Sequence, residues 1–164
     1  MRNYLILLIF ILSLGACKKS GNATPQDAFT CSINGAAFSA SNSAGINMTA
    51  EMIDSNYYLD LNATDGNHKI EIVLYDPARI SNKTYSITDT FGTQRTCTAK
   101  YTDITKDPAH GYSTGNSYTG SVILSVDKSG QRVSGSFSFQ AKFQTSTETV
   151  SVTNGNFSLP CIIN

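Results

Sequence analysis

The sequence has little of what most enzymes and nucleic-acid-binding proteins need. Its 164 residues include no tryptophan, two histidines and only 15% charged side chains, where roughly 25% is usual. The 12 basic and 12 acidic side chains give a formal net charge of +0. Because binding to nucleic-acid phosphates needs a basic excess, this balance excludes an electrostatic nucleic-acid surface, and we predict no nucleic-acid partner.

The sequence also lacks a complete catalytic motif. The spacing Gly-x-Ser-x-Gly occurs once, at Gly111-Tyr112-Ser113-Thr114-Gly115, but without the strand-then-helix pattern of a nucleophile elbow, so His68 and His110 are interpreted as exposed turn residues. Glycosidases need two paired carboxylates, and no pairing is evident among the three glutamates, Glu51, Glu71 and Glu148. We therefore expect that the protein is not an enzyme and has no catalytic residues.

Metal ligands are equally sparse. The stretch 60–66 faintly resembles a calcium loop but lacks the glutamate at the twelfth position, so a hairpin turn explains it better. Asp103 and Asp107 are a second oxygen-rich pair, and they are no better candidates for a metal site. No two cysteines have the Cys-x-x-Cys spacing that is common in zinc sites. The sequence predicts no metal and no cofactor.

The N-terminus carries a targeting segment. Arg2 precedes an apolar run over 4–14, which has the length of a signal-peptide core and is shorter than the roughly 20 residues of a spanning helix. Leu14-Gly15-Ala16-Cys17 then resembles the bacterial lipobox, in which small residues precede a cysteine that receives a diacylglycerol. We predict a lipoprotein signal peptide over 1–16 and lipidation of Cys17, which attaches the chain to a membrane. An ordinary secretory signal or a plain membrane anchor is the alternative.

The remainder divides into a tether and one domain. Residues 17–28 contain Gly, Pro and polar side chains without a hydrophobic period, which is typical of a flexible tether after the lipidated cysteine. Residues 29–164 have the length of one domain with a real core.

The hydrophobic pattern of this domain has a period of two. The segments 121–127 and 133–143 alternate around a turn with Gly130, and 57–63 alternates with 69–75 around a turn at 64–67, so each pair predicts a β-hairpin. The weaker strand candidates are 29–34, 36–40, 46–52, 83–88, 96–102, 148–153 and 156–162. Roughly nine or ten short strands without an amphipathic helix predict a single antiparallel all-β sandwich or barrel, and the pattern does not separate the two.

Ligand contacts are expected from one loop and from outward tyrosines. The stretch 103–118 is the one long irregular segment, and such loops are often functional. Because Tyr57 and Tyr58 are adjacent in a strand, one of them must point away from the core, either toward a ligand or onto a neighbouring strand. The candidates for ligand contact are Tyr58, His110, Tyr112 and Tyr118.

Three cysteines remain after Cys17. Outside the inner membrane the surroundings are oxidising, so we expect a disulfide if two of them meet. Cys31–Cys161 is favoured because first and last strands often neighbour each other in closed all-β folds, while Cys97 with either partner stays open.

Several stretches together resemble small uncharacterised lipoproteins of Bacteroidota. They are the lipobox, the opening 29–38, the strand 135–141 and the closing 150–157. The resemblance covers nearly all of the mature chain and implies an all-β fold, a Gram-negative envelope address and no established activity. Lipoproteins of that phylum sent to the cell surface often have acidic residues after the lipidated cysteine. Here Lys18 and Lys19 follow, which leaves open which side of the membrane the protein faces.

These observations favour a non-enzymatic envelope lipoprotein, anchored by its lipid in the outer membrane, that acts as a binding or assembly module. Its expected partner is an envelope protein or a glycan. One alternative is a barrel that carries a small apolar or glycan ligand, and another is an inhibitor of hydrolases. An enzyme is the least favoured hypothesis.

Overall fold

A computed structural model describes residues 26–40, 48–88, 96–115 and 117–163. The predicted signal peptide, the lipidated Cys17 and most of the tether lie outside the described residues. Among the residues described, no helix is long and apolar enough to cross a membrane.

The domain is all-β and antiparallel, as predicted. Alternating side chains produce the strands, since one face of each is apolar and packs on the core while the other is mostly polar. In chain order the strands are β1 (Ala28–Ile33), β2 (Ala36–Ala40), β3 (Met48–Ile53), β4 (Tyr58–Thr64), β5 (His68–Tyr75), β6 (Lys83–Ile87), β7 (Thr98–Asp103), β8 (His110–Ser113), β9 (Gly120–Asp127), β10 (Arg132–Phe143) and β11 (Thr149–Pro160).

Nine of the strands form a nearly closed barrel, which decides between the sandwich and the barrel. Their order is β2-β1-β11-β10-β8-β7-β5-β4-β3, and β3 approaches β11 while β2 approaches β4 across the seam. The sheet forks at β10. Its residues 132–139 pair with β9, which also pairs with β6, whereas Lys142 and Phe143 pair with β8.

The two ends of the barrel differ in what they carry. The strand registers place the connections β1–β2, β4–β5, β7–β8 and β10–β11 at one end, which we name the distal end. The chain enters β1 and leaves β11 at the opposite end, which we name the entry end.

Side chains fill the described interior. Buried apolar residues from all eleven strands form one core, each no more than 8% exposed. Phe29 lies near its centre, with its ring centroid 5.0 Å from that of Phe137, 6.3 Å from Phe157 and 6.4 Å from Phe38. Burying each such ring stabilises the fold by about 1.5–3 kcal/mol, and filling by side chains is usual for a small barrel.

Two strand assignments differ from the sequence prediction. The predicted strands 148–153 and 156–162 are one strand, β11, with a bulge between them. At the bulge Asn154 adopts a φ of 53°, so that Asn-Gly, which usually marks a turn, here kinks a continuous strand. The stretch 103–118, predicted as irregular, contains β8, whose four residues are too few to display a clear period.

The structure does not contain the expected disulfide, since none of Cys31, Cys97 and Cys161 is bonded to another cysteine among the described residues. Cys31 lies beside the β11 bulge, whereas Cys161 follows Pro160 at the entry end, at least five residues or roughly 17 Å further along. A disulfide requires Cα atoms within about 7 Å.

The pairing of Cys97 with Cys161 has a similar obstacle. The Cys97 thiol lies 3.3 Å from the Tyr75 amide on β5, and the Cys161 thiol contacts the backbone of Met52 on β3. Because β4 lies between these two strands, the two thiols contact positions about 10 Å apart. The first and last strands, β1 and β11, do pair as predicted. Their cysteines nevertheless lie at different positions along the strand direction.

Candidate functional site

The distal end of the barrel gathers aromatic and acidic side chains from three neighbouring strands and their connections. Tyr112 lies on β8, Phe143 ends β10, and Glu148 precedes β11. The buried Tyr112 hydroxyl donates a short hydrogen bond to Glu148 Oε1. We name Tyr112, Phe143, Glu148 and His110 the distal cluster.

His110 covers the outer side of this cluster. Its ring stacks on Phe143 with 4.4 Å between centroids and 12° between planes. Its Nδ1 lies 3.9 Å from Glu148 Oε2, beyond hydrogen-bond length, and is buried without a hydrogen-bond partner. Glu148 therefore faces Tyr112 with one oxygen and His110 with the other, while its side chain stays 52% exposed.

A second aromatic layer continues toward β5. The ring of Tyr101 lies 5.5 Å from that of Tyr112 and 6.0 Å from that of His68. His68 Nδ1 lies 3.0 Å from Asp65 Oδ2, and Asp65 Oδ1 accepts hydrogen bonds from the amides of Asn67 and His68. His68 thus lies half-buried beside Asp65 at the start of a strand, and is not the exposed turn residue that the sequence predicted.

The titratable groups at this end divide into donors and acceptors. Burial, followed by the hydrogen bond to Glu148, raises the pKa of Tyr112 well above its ordinary value. Burial and the nearby Asp103 carboxylate raise the pKa of Tyr101 to about 12. Both tyrosines therefore remain protonated donors at neutral pH.

Two carboxyl groups are held in the charged form. Burial works to raise the pKa of Asp65, but hydrogen bonds from His68 and the Asn67 amide bring it below the ordinary value. Hydrogen bonds from the Thr105 hydroxyl and amide lower the pKa of Asp103. Ionised acceptors beside ring faces are suited to holding a group that donates hydrogen bonds. In the parts of the chain that the structure describes, no three His, Cys, Asp or Glu side chains form a metal site.

The four tyrosine and histidine candidates separate into two groups. His110 and Tyr112 meet in the distal cluster, on the strand inside the stretch predicted as a loop. Tyr58 lies on the outer face of β4 with its ring 5.0 Å from that of Tyr75, so it packs onto a neighbouring strand, which is one of the two roles expected for it. Tyr118 is half-buried and forms a backbone bridge with Gly115.

Sequence reasoning missed Phe143, Glu148 and the role of His68. Glu148 is 36 residues from its hydrogen-bond partner Tyr112, and only the pairing of β8 with β10 brings the two together. Phe143 continues the apolar alternation of β10, so nothing in the pattern separates it from a core residue.

Comparison with known proteins gives one result. Residues 26–159 match a protein family described as "Domain of unknown function (DUF6252)". The match begins just before β1 and ends one residue before the end of β11, so it spans the whole barrel. No curated protein and no solved structure matches the chain.

Proposed function

This chain belongs to the DUF6252 family of domains of unknown function, and from its own residues we propose that it is a non-enzymatic, lipid-anchored binding module of the bacterial cell envelope. In this proposal a lipid on Cys17 holds the protein at the outer membrane, as in the Bacteroidota lipoproteins that it resembles. The distal cluster then contacts a protein partner.

One observation supports this orientation, namely where the chain enters the barrel. Asp27, the residue before β1, accepts a 2.9 Å ion-paired hydrogen bond from Arg132 Nη2. The same nitrogen donates to the carbonyl and the hydroxyl of Ser158, and the Arg132 side chain is only 17% exposed. This contact holds the start of the domain at the entry end, opposite the distal cluster. An anchor on Cys17 would therefore direct the distal cluster away from the membrane.

The chemistry of the distal end suggests what such a partner offers. Its connections carry three carboxylates, Asp65, Asp107 and Glu148, against one lysine, Lys106. Added to the exposed edge of the His110 and Phe143 stack, these acceptors favour a protein surface that presents Lys or Arg side chains. The packed interior offers no comparable support for a barrel carrier, since the described core positions are occupied by side chains.

The anchor is tested by metabolic labelling with a radioactive fatty acid. Full-length protein expressed in a Gram-negative host is expected to incorporate the label and to fractionate with outer membranes. Cys17→Ala should lose the label, and Cys31→Ser, a control that also removes one thiol, should keep it. Label on the Cys17→Ala protein, or none on the wild type, would contradict the anchor.

The binding surface is tested by site-specific photo-crosslinking in cells. A photoreactive amino acid at Thr145, on the distal end, should give a discrete adduct of protein size, and one at Ser129, on the entry end, should not. Glu148→Gln keeps the shape of the side chain and removes its charge, so it should reduce the Thr145 adduct severalfold. Adducts only from position 129 would place the partner at the entry end and contradict the proposed distal binding surface.

A further inference from the structure

A second surface, away from the distal cluster, has an unusual composition. On the outer face of six neighbouring strands, β6-β9-β10-β11-β1-β2, the registers align small polar side chains into rows across the sheet. The longest row contains one residue from each strand: Thr84, Ile123, Ser136, Asn156, Thr30 and Ser39. Six strands place the ends of this row about 24 Å apart. We name this face the polar wall.

Two further rows flank the first. On one side, Ser86, Ser121 and Ser138 are aligned, and Ser32 pairs with Thr153 beyond the bulge. On the other side stand Ser125, Ser134 and Ser158. Every residue named in these two rows has a hydroxyl group, and each row ends at an alanine, Ala37 beside Ser32 and Ala28 beside Ser158.

Charge is confined to the margins of the wall. The six strands contain four charged residues, all at or next to a strand end: Lys83, Asp127, Arg132 and Lys142. Lys83 is paired with Asp76 and Arg132 with Asp27. The whole chain is 15% charged, and none of its charged residues lies within the rows of this face.

The bulge in β11 shapes the middle of the wall. It forms an open depression of about 410 Å³ above Ser136 and Ser138, between Ser121 and Ile123 on β9 and residues 153–156 on β11. Ile123 is 58% exposed at its edge, and it is the only large exposed hydrophobic side chain among the described residues of these strands.

From this arrangement we propose that the polar wall binds a neutral polysaccharide chain. Hydroxyl and amide side chains both donate and accept hydrogen bonds, as sugar hydroxyls do, and Ile123 offers an apolar contact for the C–H face of a sugar ring. The absence of charge disfavours acidic polymers, which need Lys or Arg. A second copy of the sheet is also disfavoured, because stacked sheets and homodimer interfaces bury apolar residues. This inference goes beyond the proposed function, since it uses a different face and a different class of ligand.

The test measures depletion of detergent-solubilised full-length protein by insoluble neutral polysaccharides: starch, curdlan, galactomannan and xylan. At least one is expected to retain the protein, and immobilised heparin is expected to retain none. Ser138→Lys places a charge in the depression and should weaken retention at least tenfold. The matched control is Thr49→Lys, an equally exposed strand position on β3, outside the wall, which should bind like the wild type. Circular dichroism verifies that both variants fold.

Three outcomes would overturn the proposal. One is that no neutral polysaccharide retains the wild type, and another is that Ser138→Lys binds as well as the wild type. The third is a dimer in the wild type that Ser138→Lys converts to a monomer, which would make the wall an interface between copies. Failure of the Thr145 crosslink would contradict the proposed distal binding surface but would not change polysaccharide retention. The two proposals can therefore be tested separately.

Discussion

At the scale of single residues, the buried Asp76 carboxylate at the entry end has a well-developed set of polar contacts. The Asp76 side chain is 4% exposed and lies 2.6 Å from Lys83 Nζ. It also accepts hydrogen bonds from the Tyr85 hydroxyl at 3.2 Å and the Ala78 amide at 2.9 Å. Burial works to raise the pKa of Asp76, but these donors outweigh it and hold the pKa below its ordinary value. A carboxylate that is satisfied in this way fixes the connection between β5 and β6.

The lowered pKa predicts a dependence of stability on pH. Because the folded protein has the lower Asp76 pKa, this contribution is present above the unfolded value of about 4 and is lost as the pH falls through the folded value. We expect Asp76→Asn to reduce the free energy of unfolding by about 2–3 kcal/mol at pH 7. The difference should shrink toward pH 3.

Urea unfolding of wild type and variant at both pH values measures this effect. Asp54→Asn is the control, because Asp54 is exposed and its change should stay within about 0.5 kcal/mol. An Asp76→Asn deficit that is as large at pH 3 as at pH 7 would show that charge on Asp76 is not the cause.

At the scale of elements, β11 depends on a glycine. A Cβ atom on Gly155 would lie 2.6 Å from carbons of the Phe137 ring, which is itself buried against Phe29 and Phe157. Next to the bulge at Asn154, the Phe137 ring therefore packs directly against the backbone of Gly155, in space that a side chain at position 155 would occupy. The polar wall depends on the same bulge, since its depression lies there.

Gly155→Ala should accordingly cost about 2–3 kcal/mol of unfolding free energy, because the packed ring cannot move aside. The matched control is Gly111→Ala on β8, where the added Cβ would meet only the flexible end of Lys100 at 3.2 Å. That change should cost about 0.5 kcal/mol or less. Equal effects of the two substitutions in chemical denaturation would contradict the packing argument.

The elements differ in how far the sequence could predict them. The hairpins β4–β5 and β9–β10 were recoverable because their apolar residues alternate without interruption around turn sequences. The bulge at Asn154 was not, since Asn-Gly has the same composition in a turn and in a bulge. For the distal cluster, the sequence predicts His110 and Tyr112 as ligand contacts but gives no reason to place Glu148 beside them, because that contact depends on the pairing of β8 with β10.

At the scale of the whole molecule, the barrel is held together without a covalent crosslink among its described cysteines. Burial, assisted by the Asp65 carboxylate, raises the pKa of Cys31 to about 12, and burial raises that of Cys161. Thiolates are the reactive form, so both groups should resist oxidation as long as the barrel stays closed. Stability then comes from the shared core and from the strand ladder.

Thiol counting tests this directly. Protein purified without reductant and denatured should show three thiols that react with a maleimide, if a lipid occupies the sulfur of Cys17 as we propose. The native protein should be modified at Cys31 and Cys161 far more slowly than the denatured protein. Finding one thiol in the denatured protein would mean that a disulfide forms and that the cysteine positions described here are wrong.

The fixed entry of the chain at Asp27 also has a mechanical consequence. Tension between an anchored N-terminus and a partner at the distal end would pull β1 along its own axis, against β2 on one side and β11 on the other. The hydrogen bonds of both ladders would then be sheared together, and none could be peeled open singly from an end. A sheet loaded in shear withstands more force than one whose hydrogen bonds open one at a time. Such a domain would stay folded when the membrane and the bound partner move apart.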